Sequence, residues 1–98
     1  MAKLFYTDYV RHCLRFYISH RQMTEFKTPA DEANWKAVDG VFKALPAEQQ
    51  KIVEDIYSCK DNFALAVSVT AIKHGKSEDE VRIITRQVEK QIATARSL

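Results

Sequence analysis

Apolar residues recur along this chain at helical spacing, in five stretches separated by short polar or proline-marked breaks. The first stretch carries Tyr6, Tyr9, Val10, Cys13, Leu14, Phe16 and Tyr17. Steps of three and four residues predict an amphipathic helix. Thr7 as a cap and Asp8 in the first turn set its start, and it runs to about residue 21. A connector over residues 22–27 follows. Thr28-Pro29-Ala30-Asp31 then opens a second helix: Thr28 caps, Pro29 suits the first helical position, and Asp31 and Glu32 favour the first turn. Trp35, Val38, Val41, Phe42 and Leu45 supply its apolar face. Gly40 within that pattern costs roughly 1 kcal/mol against alanine and points to close helix packing.

Leu45-Pro46-Ala47-Glu48 punctuates the chain and starts a third helix, with Ile52, Val53, Ile56 and Tyr57 apolar and residues 58–62 as its break. The fourth, from about Phe63 to Lys73, is apolar nearly all round, which predicts a place in the middle of the fold. The fifth, from Glu78 to about residue 96, puts Val81, Ile84, Val88 and Ile92 on one stripe and Arg82, Arg86 and Lys90 on another. With only two glycines and two prolines, few strand-like alternations compete. The expected fold is all-α: about five helices in one bundle, a single helical domain over residues 1–98, with an N-terminal helical pair over 1–44 and a second part over 45–98.

The junction between the last two helices carries the most information. Gly75 can take the left-handed conformation that ends a helix. Ser77 is a good N-cap, and Glu80 three residues later completes a capping box worth on the order of 1 kcal/mol. Ala71, small and four before the glycine, lets the helices approach. Val81, six after it, can pack back between them. This spacing predicts a helix-turn-helix, whose commonest use is reading DNA.

Composition narrows the function classes. Apolar residues make up 46% and charged ones 29%, ordinary for a globular protein and unlike a disordered one. Fifteen basic residues face 13 acidic ones for a net +2, short of the excess a non-specific nucleic-acid binder carries. Cys13 and Cys59 stand far apart, and with His12, His20 and His74 they give no metal-ligand spacing. A reduced compartment and no cofactor follow. No glycine-rich phosphate loop or nucleophile motif appears, so an enzyme is not expected. No leader peptide is visible, and the longest apolar run, residues 63–72, is too short to span a bilayer. The expected setting is cytoplasmic, with no membrane partner.

The segment from Leu45 onward resembles the C-terminal helix-turn-helix domain, region 4, of bacterial sigma factors. Leu45-Pro46 followed by Glu48, Gln49, Gln50, Ile52, Val53, Ile56 and Tyr57 is similar to that domain's opening helix. Gly75-x-Ser77-x-x-x-Val81-Arg82-x-Ile84 is similar to its turn and recognition helix, and Ile92-Ala93 to Leu98 to its closing helix. The whole chain looks most like the sigma-like regulators of phages and mobile elements, including the ArpU type. The departures are local: His74 and Lys76 flank the glycine where the motif keeps apolar residues, and Thr70 replaces a further one. Glu78, Asp79 and Glu80 occupy a first turn that in sigma factors is often basic; here they complement the helix dipole.

The resemblance implies a transcription regulator that binds double-stranded DNA, with RNA polymerase as a further partner. The helix from Ser77 would lie in the major groove. Lys76 would neutralise phosphate at the turn, Arg82 and Arg86 would meet phosphate or base edges, and Lys90 would extend the anchor. The rival is a helical protein-interaction module on the same scaffold, binding polymerase or another regulator without reading DNA. Near-neutral charge, the acidic turn and the aromatic first helix favour it. Phe5, Tyr6, Tyr9, Phe16 and Tyr17, aromatics at helical spacing, are expected mainly in the core; the cluster is large for a short helix, so part of it is expected at a homodimer or polymerase contact. Arg11 and Arg15 are expected on a charged outer face.

Overall fold

A computed structural model of the protein describes residues 2–22, 25–59 and 62–97. They form five helices: α1 (Ala2–Ser19), α2 (Pro29–Lys43), α3 (Ala47–Ser58), α4 (Phe63–His74) and α5 (Glu78–Ala95), with no strand among them. The fold is all-α, as the periodicity predicts.

Local chemistry sets most boundaries. The Thr28 hydroxyl accepts from the Asp31 amide at 3.1 Å, with Pro29 opening α2. Asn62 caps α4 by accepting from the Leu65 amide at 2.8 Å, a signal hidden in what reads as a mere break. The first helix differs from expectation. It begins at Ala2, not near Thr7, and ends at Ser19. Nothing in residues 2–6 breaks a helix, so the run extends back past Thr7, which lies inside it. The side chain of Phe5 and the closing Leu98, together with the middles of the connector and of the α3–α4 break, fall outside the described residues.

One core draws on all five helices. Val10, Leu14 and Tyr17 of α1 meet Val38 and Phe42 of α2, Ile52, Val53 and Ile56 of α3, Val67 and Ala71 of α4, and Val81, Val88 and Ile92 of α5. Tyr17 sits between Trp35 and Phe42, ring centroids 5.2 and 5.6 Å away. Tyr6 packs partly against this core, whereas Tyr9 stays substantially exposed and its hydroxyl accepts from Asn34 at 2.7 Å. Phe16 stacks on His20. Part of the aromatic cluster is thus core and part is not.

Two packing expectations are overturned. Helix α5 contacts every other helix, whereas α4 packs mainly on α3 and α5. The apolar α4 is therefore peripheral, and Leu65, Val69 and Ile72 remain 46%, 56% and 83% exposed. An all-apolar helix has no sequence signal for its buried side; here Ala66, Val67, Thr70 and Ala71 face inward. Gly40 marks no close approach either, since a Cβ built there would meet nothing within 4 Å.

Candidate functional site

The α4–α5 corner is built by backbone hydrogen bonds that only a left-handed residue permits. Gly75 adopts φ 65° and ψ 35°. Its amide donates to the Ile72 carbonyl at 3.3 Å and the Lys76 amide to the Ala71 carbonyl at 2.9 Å. Ser77 then caps α5: the Glu80 amide donates to its hydroxyl at 3.1 Å, and the Glu80 carboxylate accepts from the Ser77 amide at 3.4 Å. Both arms of the capping box are present. Ala71 and Val81 are buried at the seam.

Two polar residues beside the glycine, where the sigma-like pattern has apolar ones, tie the corner to α3. The His74 ring Nε2 lies 2.7 Å from Asp55 Oδ2, and Lys73 Nζ lies 3.2 Å from the same oxygen. Burial would raise the Asp55 carboxyl, but the hydrogen bonds from His74 and Lys73 outweigh it and hold the group below its ordinary range. Lys76 Nζ lies 2.7 Å from Glu48 Oε1 and 4.0 Å from Glu80 Oε2. The hydrogen bond with Glu48 raises the Lys76 ammonium and lowers the Glu48 carboxyl. Thr70 is buried in the α4 face.

These contacts sort the five candidate site residues into two groups. Lys76 is engaged with α3, and the Ser77 hydroxyl is spent on the cap. Arg82, Arg86 and Lys90 share one ridge of α5, Arg82 half-buried and the other two exposed. Among the described residues none of the three has a carboxylate within ion-pair distance, and no Glu78–Arg82 pair forms. By contrast Arg11, Arg21, Lys36, Lys43, Lys73 and Lys76 are all ion-paired. Among the described residues Arg15, Lys27, Lys51 and Arg96 likewise have no carboxylate within ion-pair distance; the first three stand on separate elements, and Arg96 closes α5 bonded to Asn34.

Beside the basic ridge runs a second one that the sequence pattern passes over. Asp79, Ile83, Gln87 and Gln91 follow each other every fourth residue, and all four are exposed. Ile83 is 52% exposed although aliphatic. Its solvent position could have been read from the sequence, since it falls opposite the Val81–Val88–Ile92 stripe.

The orientation of α5 depends on a residue that reads in sequence as one more surface charge. Glu89 is 5% exposed, on the inner side of α5. Its Oε2 accepts from Arg11 Nε of α1 at 2.9 Å and from the Tyr57 hydroxyl of α3 at 2.5 Å. The Arg11 guanidinium also lies over the Phe63 ring of α4, 3.7 Å from its centroid. Burial and the Glu89 charge push the Tyr57 hydroxyl strongly upward, so it stays protonated and donates. Arg11 thus works inward, contrary to its expected place on an outer face. At the far end of α5, Arg96 Nε donates to Asn34 Oδ1 at 2.7 Å, fastening the helix to α2.

Among the described residues no three His, Cys, Asp or Glu side chains gather as a metal site, and no helix is long and apolar enough to cross a membrane. No protein-family model, curated protein or solved structure matches the chain.

Proposed function

We propose that the protein is a sigma-like transcription regulator whose α4–α5 corner is a helix-turn-helix that binds double-stranded DNA in the cytoplasm. The observation that carries this reading is the ridge of three cations, Arg82, Arg86 and Lys90, on one helix without carboxylate partners among the described residues. Six other cations in the same small protein find carboxylates. Cations left open along one helix are free to neutralise phosphates, and each phosphate neutralised releases counterions from the duplex. The N-terminal turn of α5 is acidic, so the basic ridge, not the helix dipole, supplies the attraction. Arg82 and Arg86 contact the duplex backbone and Lys90 extends the anchor. Lys76 acts by holding the turn against α3, and Ser77 by capping α5.

The test is binding of a duplex across a salt series. Each of Arg82→Ala, Arg86→Ala and Lys90→Ala is expected to weaken affinity and to reduce the slope of log K against log salt by about 0.9 per lost phosphate contact. Unchanged slopes in all three variants would remove the ridge from any DNA interface.

One observation favours a second reading, a protein-interaction module that docks on RNA polymerase. Leu65, Val69 and Ile72 form an exposed aliphatic stripe on α4, at the spacing by which a helix seats in a groove. Retention of polymerase by the parent protein and its loss with Ile72→Asp, without duplex binding by either, would establish that reading instead.

A further inference from the structure

The neutral-to-acidic ridge of α5 has no assigned role, although its residues face outward beside the cations. We infer that Asp79, Ile83 and Gln87 form the base-reading edge of α5, and that they select a site with a thymine and an adenine about two base pairs apart. This rests on the DNA-binding reading above.

Three observations carry it. First, of the side chains at the start of α5, the two nearest the turn are already used: Ser77 caps the helix and Lys76 reaches Glu48. Base readout must therefore come from positions further along. Second, Asp79, Ile83 and Gln87 are exposed and lie within an arc of about 80°, since each four-residue step rotates by about 40°. The buried stripe of Val81, Thr85, Val88 and Ile92 holds the opposite side of the helix and fixes that arc toward solvent. Third, Ile83 stands in the middle of the arc with half its surface exposed and no core to serve. An aliphatic group there is costly in water and useful against a thymine methyl.

The chemistry of the ridge then sets the order of bases. A glutamine amide can donate to adenine N7 and accept from its N6 amino group, the bidentate match for that base. A carboxylate accepts from the cytosine N4 amino group and repels the acceptors of guanine. Four helical residues rise about 6 Å, close to two base-pair steps of about 3.4 Å each. With α5 running along the major groove, Gln87 meets an adenine, Ile83 a thymine about two pairs away, and Asp79 a cytosine about two further. The neighbouring cations then track phosphates on one flank, which positions the reading edge without specifying sequence.

The experiment is selection from a random duplex library at near-physiological salt, using the full chain, Gln87→Ala, Ile83→Ala and Gln87→Arg. The parent should enrich the spaced thymine and adenine. Gln87→Ala should lose a preference of about tenfold at the adenine alone, and Gln87→Arg should shift it to guanine. Replacing the selected thymine by uracil deletes its methyl group; that should weaken the parent and leave Ile83→Ala unaffected. Thermal melting of each variant separates lost readout from lost fold. A parent motif that persists unchanged in both alanine variants overturns the reading edge while leaving DNA binding intact. Enrichment of nothing by the parent overturns the reading edge; DNA binding itself falls only if the parent also fails to bind duplex in the salt series.

Discussion

Removing the Arg11 guanidinium should cost far more stability than its position on the first helix suggests. Arg11→Met keeps an unbranched chain over Phe63 but leaves Glu89, 5% exposed, with the Tyr57 hydroxyl as its remaining partner. Stranding one member of a buried ion pair costs about 3–5 kcal/mol. Arg11 itself is 26% exposed at the side chain, so part of its attraction is screened, and the lower end of that range, about 3 kcal/mol, applies. Loss of the cation over the Phe63 ring adds about 0.5–1 kcal/mol, for a total of about 3.5–4 kcal/mol. Glu89→Gln is the milder change. An amide oxygen can still accept from Tyr57 and Arg11, and only the charge assistance goes, about 1–2 kcal/mol. In the Glu89→Gln background, Arg11→Met should therefore cost only about 1 kcal/mol, a coupling of about 2.5–3 kcal/mol. Urea titration followed by the fluorescence of the single tryptophan, Trp35, reads all four proteins, because its ring packs against Tyr17 in the core. At a slope of about 1–3 kcal/mol per molar urea, the midpoint of Arg11→Met should fall by about 1–4 M. A loss below about 1 kcal/mol, or a coupling near zero, would refute Glu89 as the fastening of α5.

The two glycines should respond with opposite sign to alanine. Gly75→Ala forces a Cβ into a φ of 65° and should destabilise by about 1–2 kcal/mol, whereas Gly40→Ala meets open space within α2 and should stabilise by about 0.5–1 kcal/mol; thermal melts of both decide it. Asp55 has a folded pKa below its ordinary value of 3.8, so its contribution is present above that value and is lost as pH falls through the lower native one. Acid titration of stability should accordingly be shallower below pH 3.8 in Asp55→Asn than in the parent, and an identical acid limb would exclude the His74–Lys73–Asp55 cluster as a contributor. Cys13 is buried and its thiol is pushed up by that burial, so alkylation by iodoacetamide at neutral pH should wait for unfolding. Fast labelling of Cys13 in the native protein would contradict its place in the core.

What reads directly from the chain is whatever depends on neighbours within a few residues. Thr28-Pro29, Gly75 and Ser77 with Glu80 mark helix ends because a cap is satisfied or unsatisfied by amides three or four positions away. The inward stripe of α5 is legible for the same reason, because its apolar and polar positions are segregated. The sequence accordingly determines five helices, the approximate limits of the last four, and a tight turn before α5; no capping residue in the sequence marks the start of α1 at Ala2.

Tertiary structure decided the rest. Helix α4 is apolar on every side, so its own residues could not say that Leu65, Val69 and Ile72 would stay in solvent; only the placement of α3 and α5 on one side of it did. Lys76 appears as an open cation beside a turn until Glu48, 28 positions earlier, comes within 2.7 Å of it. Glu89 and Arg11 look alike in sequence, two charges on amphipathic helices, yet they meet across 78 positions and set how α5 faces outward. A carboxylate is indifferent to burial only if a partner is there to meet it, and partners that far along the chain are brought together by packing, not by period.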